Sequence, residues 1–275
     1  MGAIWRYREL LAGLVRKELK VKYKNSALGF FWSMLNPALY LVVFYVVFVK
    51  ILRAGIPEFP IYLLSGLLVW NLFSTSLSAA TGSVVGNSAI VKKVAFPREI
   101  LAMASVGASL VHFFLQAVVL LGALAVFRHT PSFTYMALLP VALVTLLLFA
   151  AALGVLLAAV NVYARDTEHL LELALLAWFW MTPIVYQYEL AHRGLDANTW
   201  IYRLNPITPV VLTFQRAIYN RVCCIPGDGS AILPLGVGPG WYLGHLVAVA
   251  AGSFVLLLVA LNVFGRLEGN FAEEL

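Results

Sequence analysis

Six long apolar runs with almost no charge inside them limit what this chain can fold into. They are 28–52, 61–80, 100–127, 135–162, 170–188 and 241–264. A bilayer core of roughly 30 Å takes about 20 apolar residues of helix, and each run is near or above that length. The expectation is an all-α membrane protein with six transmembrane helices, forming one transmembrane domain over 1–275. Composition agrees: 62% of residues are hydrophobic and 12% charged, about half the charge fraction of a soluble domain.

The net charge of +6 is not spread evenly. Seven of the nineteen Lys/Arg fall in the first 24 residues: Arg6, Arg8, Arg16, Lys17, Lys20, Lys22 and Lys24. Basic residues just before a first span meet anionic headgroups and hold the N-terminus inside, so no nucleic-acid partner is expected. Residues 1–26 read as an interfacial amphipathic helix. Ile4, Tyr7, Leu11 and Leu14 recur at helical spacing and Trp5 suits the headgroup zone. No cleavable signal peptide is visible, because the first apolar run starts late and is too long for an h-region.

Six spans place both termini on one side. With that side cytoplasmic, 12 Lys/Arg lie inside and 7 outside. Four of the outer seven (Arg193, Arg203, Arg216 and Arg221) sit in the single long loop 189–240, where the positive-inside rule is weak. Both termini are therefore expected in the cytoplasm.

Several spans carry breaks or polar residues. Asn36 and Pro37 lie well inside the first, Pro140 one turn into the fourth, and Pro183 near the outer end of the fifth. Pro37 and Pro183 each remove a backbone donor and are expected to kink their helices, whereas Pro140 is expected to be less disruptive. Ser105, Ser109, His112 and Gln116 fall on one face of the third span. They face a translocation path or a partner subunit, or they hydrogen-bond between helices, which is the simpler account. The stretch 205–219 reads as a short amphipathic helix, too short to span and apolar enough to dip into the outer leaflet. The Pro/Gly-rich 226–240 reads as a flexible return loop. Cys223 and Cys224 are adjacent, which is poor geometry for a bridge, and two unpaired thiols are expected.

Some chemistries are absent from the sequence. No Gly-Lys pair occurs, which excludes a phosphate-binding loop, so any ATP would be bound by another chain. The five His at 112, 129, 169, 192 and 245 have no paired spacing, so no metal or other cofactor is expected. The three Asp do not pair for acid–base work. Only Asp166 with Glu168 and Glu172 clusters, and a solvated turn explains that cluster. Aromatic residues are abundant. Trp32, Tyr40, Phe44, Trp70, Trp178, Trp180 and Tyr186 are candidates for lining a path, since flat rings can slide along sugar C–H faces. An interfacial aromatic belt is the simpler account for most of them.

Five blocks in order carry a family resemblance. They are RKELKVKYKNSALGFFWSMLNP (16–37), PIYLLSGLLVWNL (60–72), NSAIVKKVAFPREIL (87–101), NVYARDTEH (161–169) and LNP (204–206). Together they resemble the permease subunits of ABC exporters of lipid-linked polysaccharides, closest to those for O-antigen, with capsule and teichoic-acid exporters as relatives. The resemblance implies a homodimer with two copies of a cytoplasmic ABC ATPase and a lipid-linked glycan substrate in the bacterial inner membrane. It implies a coupling helix at Asn87, Ile90, Val91, Lys92, Lys93, Phe96, Pro97 and Arg98, and a second ATPase contact at Arg165, Asp166, Glu168 and His169. It also implies re-entrant gate helices in the outer region 189–240, with Pro206, Pro209, Phe214 and Arg216 at the gate. The cargo could instead be teichoic acid, capsule or another compound. The rival classes are a proton-coupled transporter, disfavoured because no span holds a mid-membrane carboxylate, and a membrane glycosyl- or phosphotransferase.

Overall fold

The computed structural model describes residues 7–24, 32–53, 55–94, 96–190, 204–223 and 231–275. Among them every regular element is helical. An N-terminal helix α1 (Arg8–Tyr23) is followed by α2 (Trp32–Phe44), which runs on into π-helical turns at Tyr45–Ile51. Next come α3 (Phe59–Gly86), the single turn α4 (Ser88–Val91), α5 (Glu99–Val126), the short α6 (Phe133–Met136) and α7 (Leu139–Tyr163). Then come α8 (Thr167–Trp180), α9 (Ile207–Ile218), α10 (Pro239–Leu267) and a C-terminal turn α11 (Phe271–Glu274). Four helices are long and apolar enough to cross a membrane: α3, α5, α6–α7 together, and α10. The chain is a multi-pass membrane protein.

Helix α3 is the centre of the bundle. Its apolar window is 72% buried, against 22% for α5 and for α10, and it packs on α5, α7, α8 and α9. Small residues allow that crowding, as they do wherever membrane helices approach closely. The clearest case is Gly154 on α7, where an added Cβ would sit 2.7 Å from the Cβ of Ala80 on α3. Only glycine fits there without moving a helix.

One apolar run differs from expectation. The fifth was expected as a span through residue 188 with a kink at Pro183, but α8 stops at Trp180. Pro183 has no N–H to give to the Phe179 carbonyl and its ring crowds that carbonyl. The chain instead turns, with Ile184 and Val185 fully buried. Fourteen helical residues rise only about 21 Å. Pro140 is undisruptive, as expected: it lies in the first turn of α7, where a missing N–H costs nothing. Pro37 does lie inside α2.

The outer region differs as well. Helix α9 is covered by protein rather than left open on its apolar face. Every residue from Ile207 to Ile218 except Arg216 is buried within the protein, against α3, α7 and α10. Gln215 Nε2 donates to the Pro183 carbonyl at 3.2 Å. Part of the expected flexible return loop is also packed. Ile232 and Leu233 are buried, and the Ile232 amide donates to the Val222 carbonyl at 3.0 Å. Cys223 is disulfide-bonded rather than a free thiol, and Cys224 lies outside the described residues.

Candidate functional site: an aromatic groove and a basic end face

A groove of about 470 Å³ opens between α2, α3 and α8. Tyr40 and Phe44 line it from α2, Trp70 from α3, and Phe179 and Trp180 from α8. Tyr40 stacks on Phe44, Phe44 meets Phe179 at 6.2 Å, and Phe179 meets Trp70 edge-on at 5.5 Å. These rings form one continuous aromatic wall. A polar strip runs beside it: Asn71, Ser74 and Thr75 on α3, with Glu172 on α8. The groove walls continue into exposed apolar side chains, Leu39, Val42 and Val43 on one flank and Leu173, Leu176 and Trp180 on the other.

Four of the seven aromatic residues singled out in the sequence therefore share one groove: Tyr40, Phe44, Trp70 and Trp180. Trp178 does not line it. Its ring packs edge-on against Phe73 at 5.2 Å, and its indole N–H donates to Asn205 Oδ1 at 2.9 Å. Tyr186 acts as a clasp behind the wall, donating to the Trp180 carbonyl at 2.8 Å while its own carbonyl accepts from Tyr62 Oη at 2.6 Å. The side chain of Trp32 lies outside the described residues. Phe179, Asn71, Ser74 and Thr75 were not anticipated. The i, i+3, i+4 spacing of Asn71, Ser74 and Thr75 was the available signal, since it puts three polar groups on one face of an apolar helix.

The stripe on α5 divides. Gln116 accepts from Asn71 Nδ2 at 3.2 Å, and Ser105 and Ser109 bond back to their own helix. Those three follow the interhelical and local reading. His112 lines a second cavity of about 220 Å³ together with Ser105, Ser109, Thr75 and Glu18 of α1. That helix docks on α5 through Leu14, which is buried, and through Val15, whose Cγ2 lies 3.0 Å from where a Cβ on Gly107 would stand.

One end of the bundle gathers both sequence blocks expected to meet a partner. Asn87 caps the end of α3. Its Nδ2 donates to the Ser83 carbonyl at 2.8 Å and its Oδ1 accepts from Lys17 Nζ. Val91 is 3% exposed, packed in the cluster that includes Leu14, Ile100 and Phe271. Arg98 donates to the Glu268 carbonyl and lies over the Phe271 ring. These three anchor the loop to its own chain. Lys92, Lys93 and Val94 project into the open, with Ile90, Phe96 and Pro97 half-buried beside them. The helical part is the single turn Ser88–Val91.

Arg165, Asp166, Glu168 and His169 are exposed at the same end. Glu168 Oε1 also accepts from Asn161 Nδ2 at 2.7 Å and stands 3.1 Å from where a Cβ on Gly82 would be. This fixes the turn between α7 and α8 against α3. The C-terminal turn was not foreseen as structure, yet Phe271 is fully buried against Phe264 and Tyr163.

At the opposite end, Asn205 joins the groove helix to α9. Its Oδ1 accepts from the Trp178 indole and from the Ile207 amide at 3.1 Å, and its Nδ2 donates to Thr182 Oγ1 at 3.0 Å. Pro206 stands at the start of α9, and Pro209 and Phe214 are buried within it. Phe214 meets Phe113 edge-on at 6.1 Å. Arg216 lies over the Tyr135 ring at 4.3 Å and donates to the Asn220 carbonyl at 3.0 Å.

The sequence profile of the ABC-2 type transporter family matches residues 9–219, which takes in α1, the groove, the basic loop and α9. The chain belongs to the ABC-2 type transporter family. Its relatives include the O-antigen export system permease protein RfbA of Myxococcus xanthus, 32% identical over 272 residues, covering 99% of this chain and 97% of the relative. RfbA of Klebsiella pneumoniae is 28% identical over 267 residues, 97% of this chain and 95% of that protein. The polysialic acid transport protein KpsM of Escherichia coli is 27% identical over 79 residues, 28% of this chain and 31% of KpsM. The chain is thus an ABC-transporter permease, a transport component without a catalytic domain, and ABC-2 permeases pair with an ABC ATPase.

Proposed function

We propose that this chain is the permease of an ATP-driven exporter moving an undecaprenyl-linked O-antigen-type polysaccharide across the bacterial inner membrane. The aromatic groove with its polar strip carries the reading. Rings at van der Waals contact offer continuous apolar faces to sugar C–H groups, while Asn71, Ser74, Thr75 and Glu172 offer replaceable hydrogen bonds. Such a lining holds a polymer weakly at many points, which translocation requires. The full-length likeness to O-antigen export permeases supports the same cargo.

In this reading six segments span the membrane with both termini cytoplasmic, α2 with its π-helical extension and α8 being the two shorter ones. Helix α1 lies along the interface. The groove opens sideways between α2 and α8, so a second copy facing it would close a channel with two aromatic walls. Two ATPase subunits dock beneath. Lys92, Lys93 and Val94, with Ile90 and Phe96, meet them, and Arg165, Asp166 and His169 make the second contact. Asn87, Val91 and Arg98 pass the resulting motion to α3, α5 and the C-terminal turn. Pro206, Pro209, Phe214 and Arg216 belong to the gate helix α9, which Asn205 couples to α8. ATP must favour the open state through contacts that differ between open and closed forms.

The test is loss of the chain in its native host. Lipid-linked glycan is expected to accumulate on the cytoplasmic side while the surface glycan disappears, and a plasmid copy restores both. Unchanged surface glycan with accumulation of a different compound would redirect the reading to another cargo.

A further inference from the structure

One pocket outside the groove is lined almost wholly by polar groups. It lies at the end of the bundle opposite the basic loop and measures about 230 Å³. Three separate segments build it: Glu58 just before α3, Arg128, His129 and Thr130 just after α5, and Asn220 and Arg221 just after α9. Glu58, Arg128 and Asn220 all hold left-handed backbone, with φ of 47°, 50° and 55°. Non-glycine residues rarely adopt it, and its clustering at one pocket marks a place where the surrounding structure imposes the conformation.

The charges are unevenly matched. Among the described residues Glu58 is the single carboxylate lining the pocket. Its Oε1 accepts from Arg221 and its Oε2 meets His129 Nδ1. Arg128 makes no ion pair among the described residues. The His129 side chain is only 6% exposed, and its Nε2 is buried with no hydrogen-bond partner. The imidazole lies parallel to the Tyr219 ring, whose hydroxyl is already committed to the Pro57 carbonyl at 2.7 Å. Burial raises the Tyr219 phenol well above its ordinary range, so it remains a donor there. The lining therefore offers two guanidinium groups, one of them with no ion-pair partner among the described residues.

That donor set suits one chemical class. A metal ion is disfavoured, because a single carboxylate stands among two guanidinium groups. A neutral sugar would leave the surplus positive charge unmatched. A phosphate group matches it, since guanidinium forks bind phosphate oxygens with paired charge-assisted hydrogen bonds. We propose that this pocket binds a phosphate-type oxyanion, with Arg128 and Arg221 as its clamp and Glu58 holding Arg221 and His129 in register. The anion is either a water-exposed phosphate or pyrophosphate ester or the headgroup of a phospholipid. The site stands on its own residues and does not rest on the glycan-export reading.

The test uses the detergent-solubilised full-length chain in two arms. One measures equilibrium dialysis against radiolabelled pyrophosphate. The other measures native mass spectrometry after mixing with phosphatidylglycerol or phosphatidylcholine micelles. Arg128→Gln removes the guanidinium that has no ion-pair partner, and is expected to weaken whichever probe binds by about tenfold or more. Arg53→Gln removes a like charge that does not line the pocket and is expected to leave binding unchanged. Saturable pyrophosphate binding with this pattern assigns a phosphate or pyrophosphate ester. Selective retention of phosphatidylglycerol with this pattern assigns a lipid headgroup. Binding of neither probe, or equal loss in both variants, overturns the proposal.

Discussion

Replacing Asn205 by alanine removes a buried side chain that ties the groove helix to the gate helix. In the native protein its Oδ1 takes two donors, the Trp178 indole and the Ile207 amide, and its Nδ2 serves Thr182. Asn205 is 7% exposed, so water does not replace it. Orphaning a buried donor costs about 1–3 kcal/mol. With two donors orphaned and some relaxation, N205A should lose about 2–4 kcal/mol. The measurement is reversible unfolding of the solubilised chain in a mixed-micelle titration. A double-mutant cycle with Trp178→Phe isolates the shared bond, because W178F removes the donor that N205A would orphan. A coupling of about 1 kcal/mol is expected. A loss below about 0.5 kcal/mol for N205A, or additive single losses, would refute the assignment of Asn205 as the tie.

Three further outcomes follow from the packing. Gly154→Leu forces α7 away from Ala80 of α3 and should cost about 1–3 kcal/mol or abolish expression, whereas Gly252→Leu, with open space around it, should be tolerated in the same melting assay. Trp180→Ala opens the aromatic wall at an exposed position, so surface glycan should fall severalfold by immunoblot while ATPase association in pull-downs is kept. Phe271→Ala empties the pocket between Phe264 and Tyr163; it should cost about 3–5 kcal/mol and loosen the Arg98 contact, read as faster hydrogen exchange in 96–101.

Much of the fold was legible because four spans are continuous apolar helices whose length alone meets the bilayer requirement. The limits of the other two were not legible from hydropathy. The run through 188 stays apolar past Pro183, but the helix cannot continue through a residue with no N–H, and the residues beyond turn inward instead. The amphipathic pattern of α9 was real, yet the protein rather than lipid covers it, and Gln215 Nε2 reaches across to the Pro183 carbonyl. No local pattern encodes that long-range bond. In the groove, aromatic type was readable and direction was not: Trp178 and Trp180 are two positions apart, so they point about 200° apart around the helix, one to Asn205 and one to the groove. In the basic loop the sequence located the segment, but only burial separates Lys92 and Lys93, which project, from Asn87, Val91 and Arg98, which anchor. The C-terminal turn went unseen because four residues carry no periodic signal.

The account's central claim is that a separate ATPase drives this permease through the exposed part of the basic loop. Affinity purification of the tagged chain from its native host in mild detergent, followed by mass spectrometry, tests it most directly. A stoichiometric ABC ATPase should co-purify, and Lys92→Glu with Lys93→Glu should release it while the permease keeps its melting temperature, because neither lysine is buried. A permease that purifies without any ATPase and still moves glycan into vesicles, or an ATPase that stays bound to the charge-reversed variant, would contradict the account.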